Sequence, residues 1–270
     1  MKKLLISTDL DATLLDHQNY TYEPALAAIA TLQSRDCPIV FNSSKTLSEQ
    51  RQLRASMGIH APFIVENGAA AIIPAGQLDR PKQLSDDEIK RFGLPYKELV
   101  AKLHDLRDRH GYRFRGFSDL SAEEVARMTG LALQSAVAAK QRMGSEPLLW
   151  EDNEAAYDEF VARVETMGLQ NTRGGRFRHV TARTDKGAAL QWLIARYERV
   201  FPDVEWIVVA LGDSPNDLSM LRVADIGVLI SNPHRPAFTA TGVRDLRQPE
   251  QVGPSGWAEA VTAIARELGI

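Results

Sequence analysis

The sequence predicts an α/β fold, a doubly wound parallel sheet interrupted by an inserted α+β unit. Three observations predict it. From the N-terminus to about residue 73, short apolar runs alternate with amphipathic helical stretches, the order of a parallel sheet covered by helices. Between about residues 81 and 181 the pattern changes to strands mixed with helices. From residue 185 the alternation resumes. The expected organisation is a core of residues 1–80 and 182–270 with an insert of residues 81–181. A length of 270 residues suits one large or two smaller domains.

The first strand is the run Leu4-Leu5-Ile6, and it leads into Asp9, Asp11 and Thr13. Ligands of a parallel α/β sheet gather beyond the carboxyl ends of its strands, so both acids are aimed at that crevice. Strand alternation puts them roughly on one side. Two carboxylates that close repel each other unless a cation sits between them, and Mg²⁺ is the ordinary cation of an all-oxygen site. An acidic turn that merely ends a strand would show the same spacing.

Pro24 opens a helix with Leu26, Ile29 and Leu32 on one stripe. Residues 38–41 form a second buried strand, which ends in Asn42-Ser43-Ser44-Lys45-Thr46. Leu47, Leu53 and Met57 mark a helix closed by Gly58. Phe63-Ile64-Val65 is a third strand, turned back by Glu66-Asn67-Gly68 into residues 70–73.

Within the insert, the tetrads at residues 85–88 and 121–124 each have the form of a capping box that opens a helix. Tyr96, Leu99, Val100, Leu103 and Leu106 define an amphipathic helix over residues 95–110, ended by Gly111. Residues 112–115 and 147–150 read as strands. Tyr157, Phe160, Val161, Val164 and Met167 mark another helix, and Gly174-Gly175 turns into a strand over 176–180. This order predicts an antiparallel sheet with helices on one face.

After the insert, a helix begins at Asp185-Lys186-Gly187 and carries Leu190, Leu193, Ile194 and Tyr197. Residues 206–211 form a central strand that ends in Gly212-Asp213-Ser214-Pro215-Asn216-Asp217, a second apolar strand followed by acids. Residues 226–230 are a further strand, and Trp257, Val261, Ile264 and Leu268 mark the last helix. Ser43 can hold phosphate oxygens through its hydroxyl and nearby N–H groups, or cap the helix that follows. Lys186 is either a surface lysine or a partner of an anion. Asp213 can complete an oxygen site for Mg²⁺ with Asp217 in support, or the loop can serve as a helix cap.

A net charge of −3 leaves no footprint for nucleic acid. The single cysteine, Cys37, cannot form an internal disulfide and fits a reducing cytoplasm. No apolar stretch approaches the ~20 residues that span a bilayer, and Met1-Lys2-Lys3 meets Asp9 too soon for a signal peptide. A cytoplasmic protein without membrane partners is expected. Its oligomeric state is not written in the sequence.

In chain order, Asp9 with Asp11, Ser43, Lys186, and Asp213 with Asp217 resemble the four motifs of the haloacid dehalogenase (HAD) superfamily, with Ala12 where Gly is usual. The position of the insert resembles the C2-capped branch, and its α+β character the C2B, or Cof-like, subtype. Asn42-Ser43-Ser44-Lys45-Thr46 is similar to the segment that mannosyl-3-phosphoglycerate phosphatases carry in place of Thr-Gly-Arg. Glu66-Asn67-Gly68-Ala69, Arg142 with Ser145-Glu146-Pro147, and residues 174–179 share that likeness.

The resemblance implies a HAD-like core in which Asp9 is the nucleophile and Asp11 the general acid/base. It implies Mg²⁺ held by Asp9, Asp11 and Asp213, with Asp217 and Asn216 in support, and Ser43, Ser44 and Lys186 on the phosphate. The implied substrate is a phosphorylated sugar-glycerate. Arg142, Arg176, Arg178 and His179 could meet its carboxylate, because Arg pairs with carboxylates bidentately, although alternating Arg on a strand is equally a solvated face. The enzymatic alternatives are another C2B phosphatase or a phosphomutase acting on glucosyl-3-phosphoglycerate, sucrose phosphate or a hexose phosphate. A non-catalytic sugar-phosphate sensor would have no use for the second acid, Asp11.

Overall fold

The computed structural model describes residues 1–83, 86–174, 177–236 and 238–270, the side chains of Arg173 and Gly174 excepted. The chain opens with β1 (Lys2–Thr8), α1 (Leu26–Ser34), β2 (Ile39–Phe41), α2 (Leu47–Ser56), β3 (Phe63–Val65), β4 (Ala70–Ile73) and β5 (Glu88–Arg91). It continues through α3 (Tyr96–His110), β6 (Phe114–Gly116), α4 (Ala122–Thr129), α5 (Leu133–Lys140) and β7 (Ser145–Trp150). Next come α6 (Glu154–Thr166), β8 (Leu169–Gly174) and β9 (Phe177–Ala182). The last section is α7 (Lys186–Val200), β10 (Glu205–Gly212), α8 (Leu218–Val223), β11 (Ile226–Leu229), β12 (Leu246–Arg247) and α9 (Gly253–Glu267).

Five strands form a parallel sheet in the order β12-β11-β10-β1-β2. β1 pairs along its whole length with β10, from Lys2↔Glu205 to Thr8↔Leu211. A parallel strand covered on both faces must be apolar on both, which explains the unbroken run Leu4-Leu5-Ile6. Leu4 and Ile6 pack under α1 and α9 through Ile29, Leu32, Trp257, Val261 and Ile264. Leu5 faces the other layer, with Leu190 and Leu193 of α7 and Leu221 of α8. Beyond β2, one parallel bridge, Asn42↔Ile64, joins the antiparallel sheet β3-β4-β5 to the edge of the large one.

The insert is a cap domain built on the four-stranded antiparallel sheet β6-β7-β9-β8. Leu99, Leu103, Leu106, Phe160 and Val164 of α3 and α6 cover one face, against Phe114, Leu148 and Val180. α4 and α5 form a smaller cluster with Phe117 and Phe177.

Local signals and the folded chain differ at several places. The tetrad at 121–124 is a capping box closed in both directions. The one at 85–88 opens no helix: Ser85 lies outside the described residues, and Glu88–Arg91 is a strand with Ile89 opposite Ile72. There, pairing to a ready sheet edge outweighs a local capping pattern. In α1, Leu26 is exposed, and the buried stripe is Ala28, Ile29 and Leu32. α2 buries Gln50, which donates to the Ile64 carbonyl at 2.8 Å.

The turn between β3 and β4 holds the core and cap together. Buried Glu66 accepts from the N–H groups of Met143 (2.7 Å) and Gly144 (3.1 Å) and from Ser145 Oγ (2.7 Å). Glu66, Asn67 and Gly68 all take positive φ, 51°, 56° and 93°. At Gly68 a Cβ would fall on the Asp185 carbonyl, just before α7. Gly68→Ala should therefore destabilise the protein by about 2 kcal/mol or more. Thermal unfolding should show a Tm lower by several degrees, and an unchanged Tm would contradict this account of the turn.

Candidate active site

The acids converge because their strands are neighbours. The Asp9 N–H donates to the Leu211 carbonyl at 2.9 Å, and the Asn42 N–H to the Thr8 carbonyl at 2.8 Å. The segments that follow β1, β2 and β10 thus emerge side by side at the carboxyl edge of the sheet. Trp257 of α9 donates through Nε1 to Thr8 Oγ1 (3.0 Å), which donates to the Asp9 carbonyl (2.7 Å). Ala12 adopts φ 60°, a left-handed conformation in which Gly is at ease, so its methyl group is accommodated at some conformational cost.

Lys186 opens α7 and is fully buried. Its ammonium lies 2.7 Å from Asp9 Oδ1 and 2.5 Å from Asp217 Oδ1. Burial acts to lower its pKa, but the charges of Asp217 and Asp9 more than offset that, so the group stays protonated. Asp217 Oδ2 accepts from the N–H groups of Asp213 and Ser214, both at 3.0 Å. Asp217 is thereby fixed at both oxygens. Asp213 Oδ2 accepts from Asn232 Nδ2 at 2.5 Å.

Carboxylate oxygens of Asp9, Asp213 and Asp217 lie within 4.8 Å of one another. Burial, then the charges of Asp9 and Asp217, push Asp213 up to about 7. Burial likewise raises Asp217, against the pull of Lys186. Three buried carboxylates facing one ammonium leave uncompensated negative charge. A hard divalent cation on these oxygen donors would remove it, so the residues present fit such an ion.

Asp11 stands apart from that group. It is partly exposed, and its Oδ1 is 2.8 Å from Lys45 Nζ. Ser43 is buried after β2, and its carbonyl accepts from the Asn67 N–H at 3.0 Å, while Ser44 is half-buried beside it. Asn216 donates through Nδ2 to Asn67 Oδ1 at 3.2 Å and accepts at Oδ1 from the Ser214 hydroxyl. Asn232, which the sequence reading missed, bonds Asp213 instead. It follows the end of β11, and applying the strand-end rule to that strand would have marked it.

The described basic cap residues are engaged within the protein. The Arg142 guanidinium donates through Nε to the Ser145 carbonyl (2.9 Å), through Nη2 to Ser145 Oγ (2.6 Å) and through Nη1 to the Ala139 carbonyl (3.1 Å). Its Nε is also 3.8 Å from Glu66. Arg178 is buried over the Tyr157 ring of α6, 4.4 Å from its centroid. Burial and the neighbouring Arg142 charge lower His179 to about 4, which leaves it neutral at ordinary pH. Arg176 lies outside the described residues.

The chain is similar to known proteins along most of its length. The haloacid dehalogenase-like hydrolase family matches residues 6–129 and 133–241. A glucosyl-3-phosphoglycerate/mannosyl-3-phosphoglycerate phosphatase of Methanococcoides burtonii is 35% identical over 96% of this chain and 96% of its own. A protein of the same description from Persephonella marina is 34% identical over 98% of each. The crystal structure of a HAD-superfamily protein from Bacteroides thetaiotaomicron, 20% identical, matches 98% of this chain and 96% of its own with a TM-score of 0.65, a likeness of fold. The chain belongs to the haloacid dehalogenase-like hydrolase family. Within that family it is a phosphoric monoester hydrolase.

Two outcomes follow from the site. The raised Asp213 pKa means that the folded, metal-free protein binds this proton more tightly than the unfolded chain. The resulting stability is present below the unfolded carboxyl value and lost as pH rises through about 7. Metal-free protein should lose Tm between about pH 4 and about pH 7, with the loss reduced in Asp213→Asn and reversed by added divalent cation. An equal pH dependence in both proteins would refute the shift. Arg142→Ala removes a guanidinium that holds the 139–145 turn. It should cost about 3 kcal/mol of stability and lower activity on all phosphate esters alike. A loss confined to one substrate, with Tm unchanged, would contradict that.

Proposed function

We propose that this protein hydrolyses a glycosyl-3-phosphoglycerate, mannosyl or glucosyl, to the glycosylglycerate and phosphate through an aspartyl-phosphate. The near-full-length likeness to relatives named for both sugars carries the substrate reading. The chemical reading rests on a strand-end carboxylate held by a buried lysine, with a second acid two residues on.

Asp9, held at one oxygen by Lys186, attacks phosphorus with the other. The bond from phosphorus to the ester oxygen breaks, and Asp11 gives its proton to the leaving alkoxide. Asp11 then takes a proton from the water that attacks the aspartyl-phosphate, releasing phosphate and regenerating Asp9. Ser43, Ser44 and Lys186 hold the phosphoryl oxygens. Asp9, Asp213 and the Asp11 carbonyl would hold Mg²⁺, with Asp217 in support, and the bound ion supplies charge neutralisation between nucleophile and phosphate.

In this reading the core of residues 1–80 and 182–270 performs the chemistry, and the insert of 81–181 shields the site from water and adds contacts to the substrate. The buried, unpaired Cys37 is at home in a reducing cytoplasm, where we place the reaction.

Asp9→Asn should keep its fold and lose turnover by several orders of magnitude, because an amide cannot form the phospho-enzyme. Phosphate release from mannosyl- and glucosyl-3-phosphoglycerate, sucrose phosphate and hexose phosphates, each with Mg²⁺ and with EDTA, tests the rest. Activity near wild type in Asp9→Asn, or full activity in EDTA, would defeat the mechanism. Preference for a hexose phosphate would defeat the substrate reading.

A further inference from the structure

The glycosyl-3-phosphoglycerate reading asks for a cation to meet the glycerate carboxylate, and Arg142 and Arg178 are already engaged within the protein. Arg142 is engaged with Ser145, Ala139 and Glu66. Arg178 is stacked on Tyr157. Lys45 differs from both. It lies on the core loop after β2, its ammonium 2.8 Å from Asp11 Oδ1 and 5.5 Å from the centre of the Tyr20 ring. An ammonium has three donors, so its ion pair with Asp11 leaves others to meet a second anion.

We propose that Lys45 is the specificity-determining cation of the site, its ammonium pairing with the substrate carboxylate beside the leaving oxygen that Asp11 serves. The inference rests on the substrate reading above. The connectivity of the substrate supports it. The phosphate is on C3 of the glycerate, the sugar on C2, and the carboxylate is C1. Three bonds of about 1.5 Å separate the leaving oxygen from C1, so the carboxylate oxygens fall about 3–5 Å from it. Asp11 must stand about 2.7 Å from that same oxygen to protonate it. With Lys45 Nζ 2.8 Å from Asp11 Oδ1, the ammonium lies within about 5.5 Å of the leaving oxygen when Oδ1 serves it, and within about 8 Å when the other carboxylate oxygen does. The two ranges meet. A 3-phosphoglycerate ester therefore brings its carboxylate within reach of Lys45 when its phosphate is seated for attack.

The loop is also rigid enough to discriminate. The Lys45 carbonyl accepts from the Glu66 N–H at 3.1 Å and from Gln50 Nε2 at 3.3 Å. The next residue, Thr46, caps α2 and donates to the Ala138 carbonyl of α5 at 2.9 Å. Lys45 is thus held where core and cap meet.

The test deletes each charge in turn. kcat and KM are measured in Mg²⁺ for 2-O-mannosyl-3-phosphoglycerate and for its analogue with the carboxylate reduced to a primary alcohol. Wild type, Lys45→Met and Lys45→Arg are compared. Wild type should prefer the acid about ten- to a hundredfold in kcat/KM. Lys45→Met should abolish that preference, chiefly through KM for the acid, and Lys45→Arg should restore most of it. If Lys45→Met slows both esters equally and the preference survives, Lys45 serves only Asp11 or the fold, and the proposal is overturned. A wild type that hydrolyses both esters without preference overturns the substrate reading itself, and the role of Lys45 with it.

Discussion

One buried ammonium among three carboxylates sets the terms for the rest of the molecule. Lys186 is fully buried, and Asp9 and Asp217 both approach its ammonium within hydrogen-bond distance. Breaking such a buried pair typically costs 3–5 kcal/mol. Three distant stretches of chain therefore have to meet at one point: the end of β1, the start of α7 and the loop after β10. Small residues make the approach possible. A Cβ on Gly187 would run into Ser219, and one on Gly212 into Asp217. The sheet order that places β1 beside β10 is what brings these segments together.

The arrangement also separates two kinds of acid. Asp9, Asp213 and Asp217 are packed where charge is expensive and a cation is wanted. Asp11, two residues from Asp9, sits in a partly exposed place with its own lysine. Acids so close in sequence differ in environment because the chain leaves strand geometry after Thr8 and turns through the left-handed Ala12. In the proposed mechanism, a group that exchanges protons needs access to water, whereas a group that stays charged beside a metal does not.

The parallel core was legible because strands buried on both faces write continuous apolar runs, and because the acids stand at the ends of those runs. The elements that escaped notice lack such periodicity. α5 is rich in alanine and buries Ala136, Ala138 and Ala139 without a strong stripe, and β8 is polar along most of its length. Glu88–Arg91 carries a helix-opening pattern yet pairs with β4, because a sheet edge is a tertiary feature that no local window contains. The same limit applied to side chains. Sequence marks Arg142 as basic, but its four bonds within the protein depend on how the 139–145 turn folds back. Lys45 was visible as a motif letter, while its place beside Asp11 arises from the turn after β1.

The turn at Glu66 has a consequence for how such proteins can be rebuilt. Its main chain supports the loop after β2, through the Glu66 N–H on the Lys45 carbonyl and the Asn67 N–H on the Ser43 carbonyl. Its carboxylate grips the cap at Met143, Gly144 and Ser145. A chimera that splices a foreign cap onto this core at the obvious linkers would leave a buried, ionisable side chain facing a stranger. The natural unit of exchange is larger than the visible domain: the turn has to travel with the cap segment it holds.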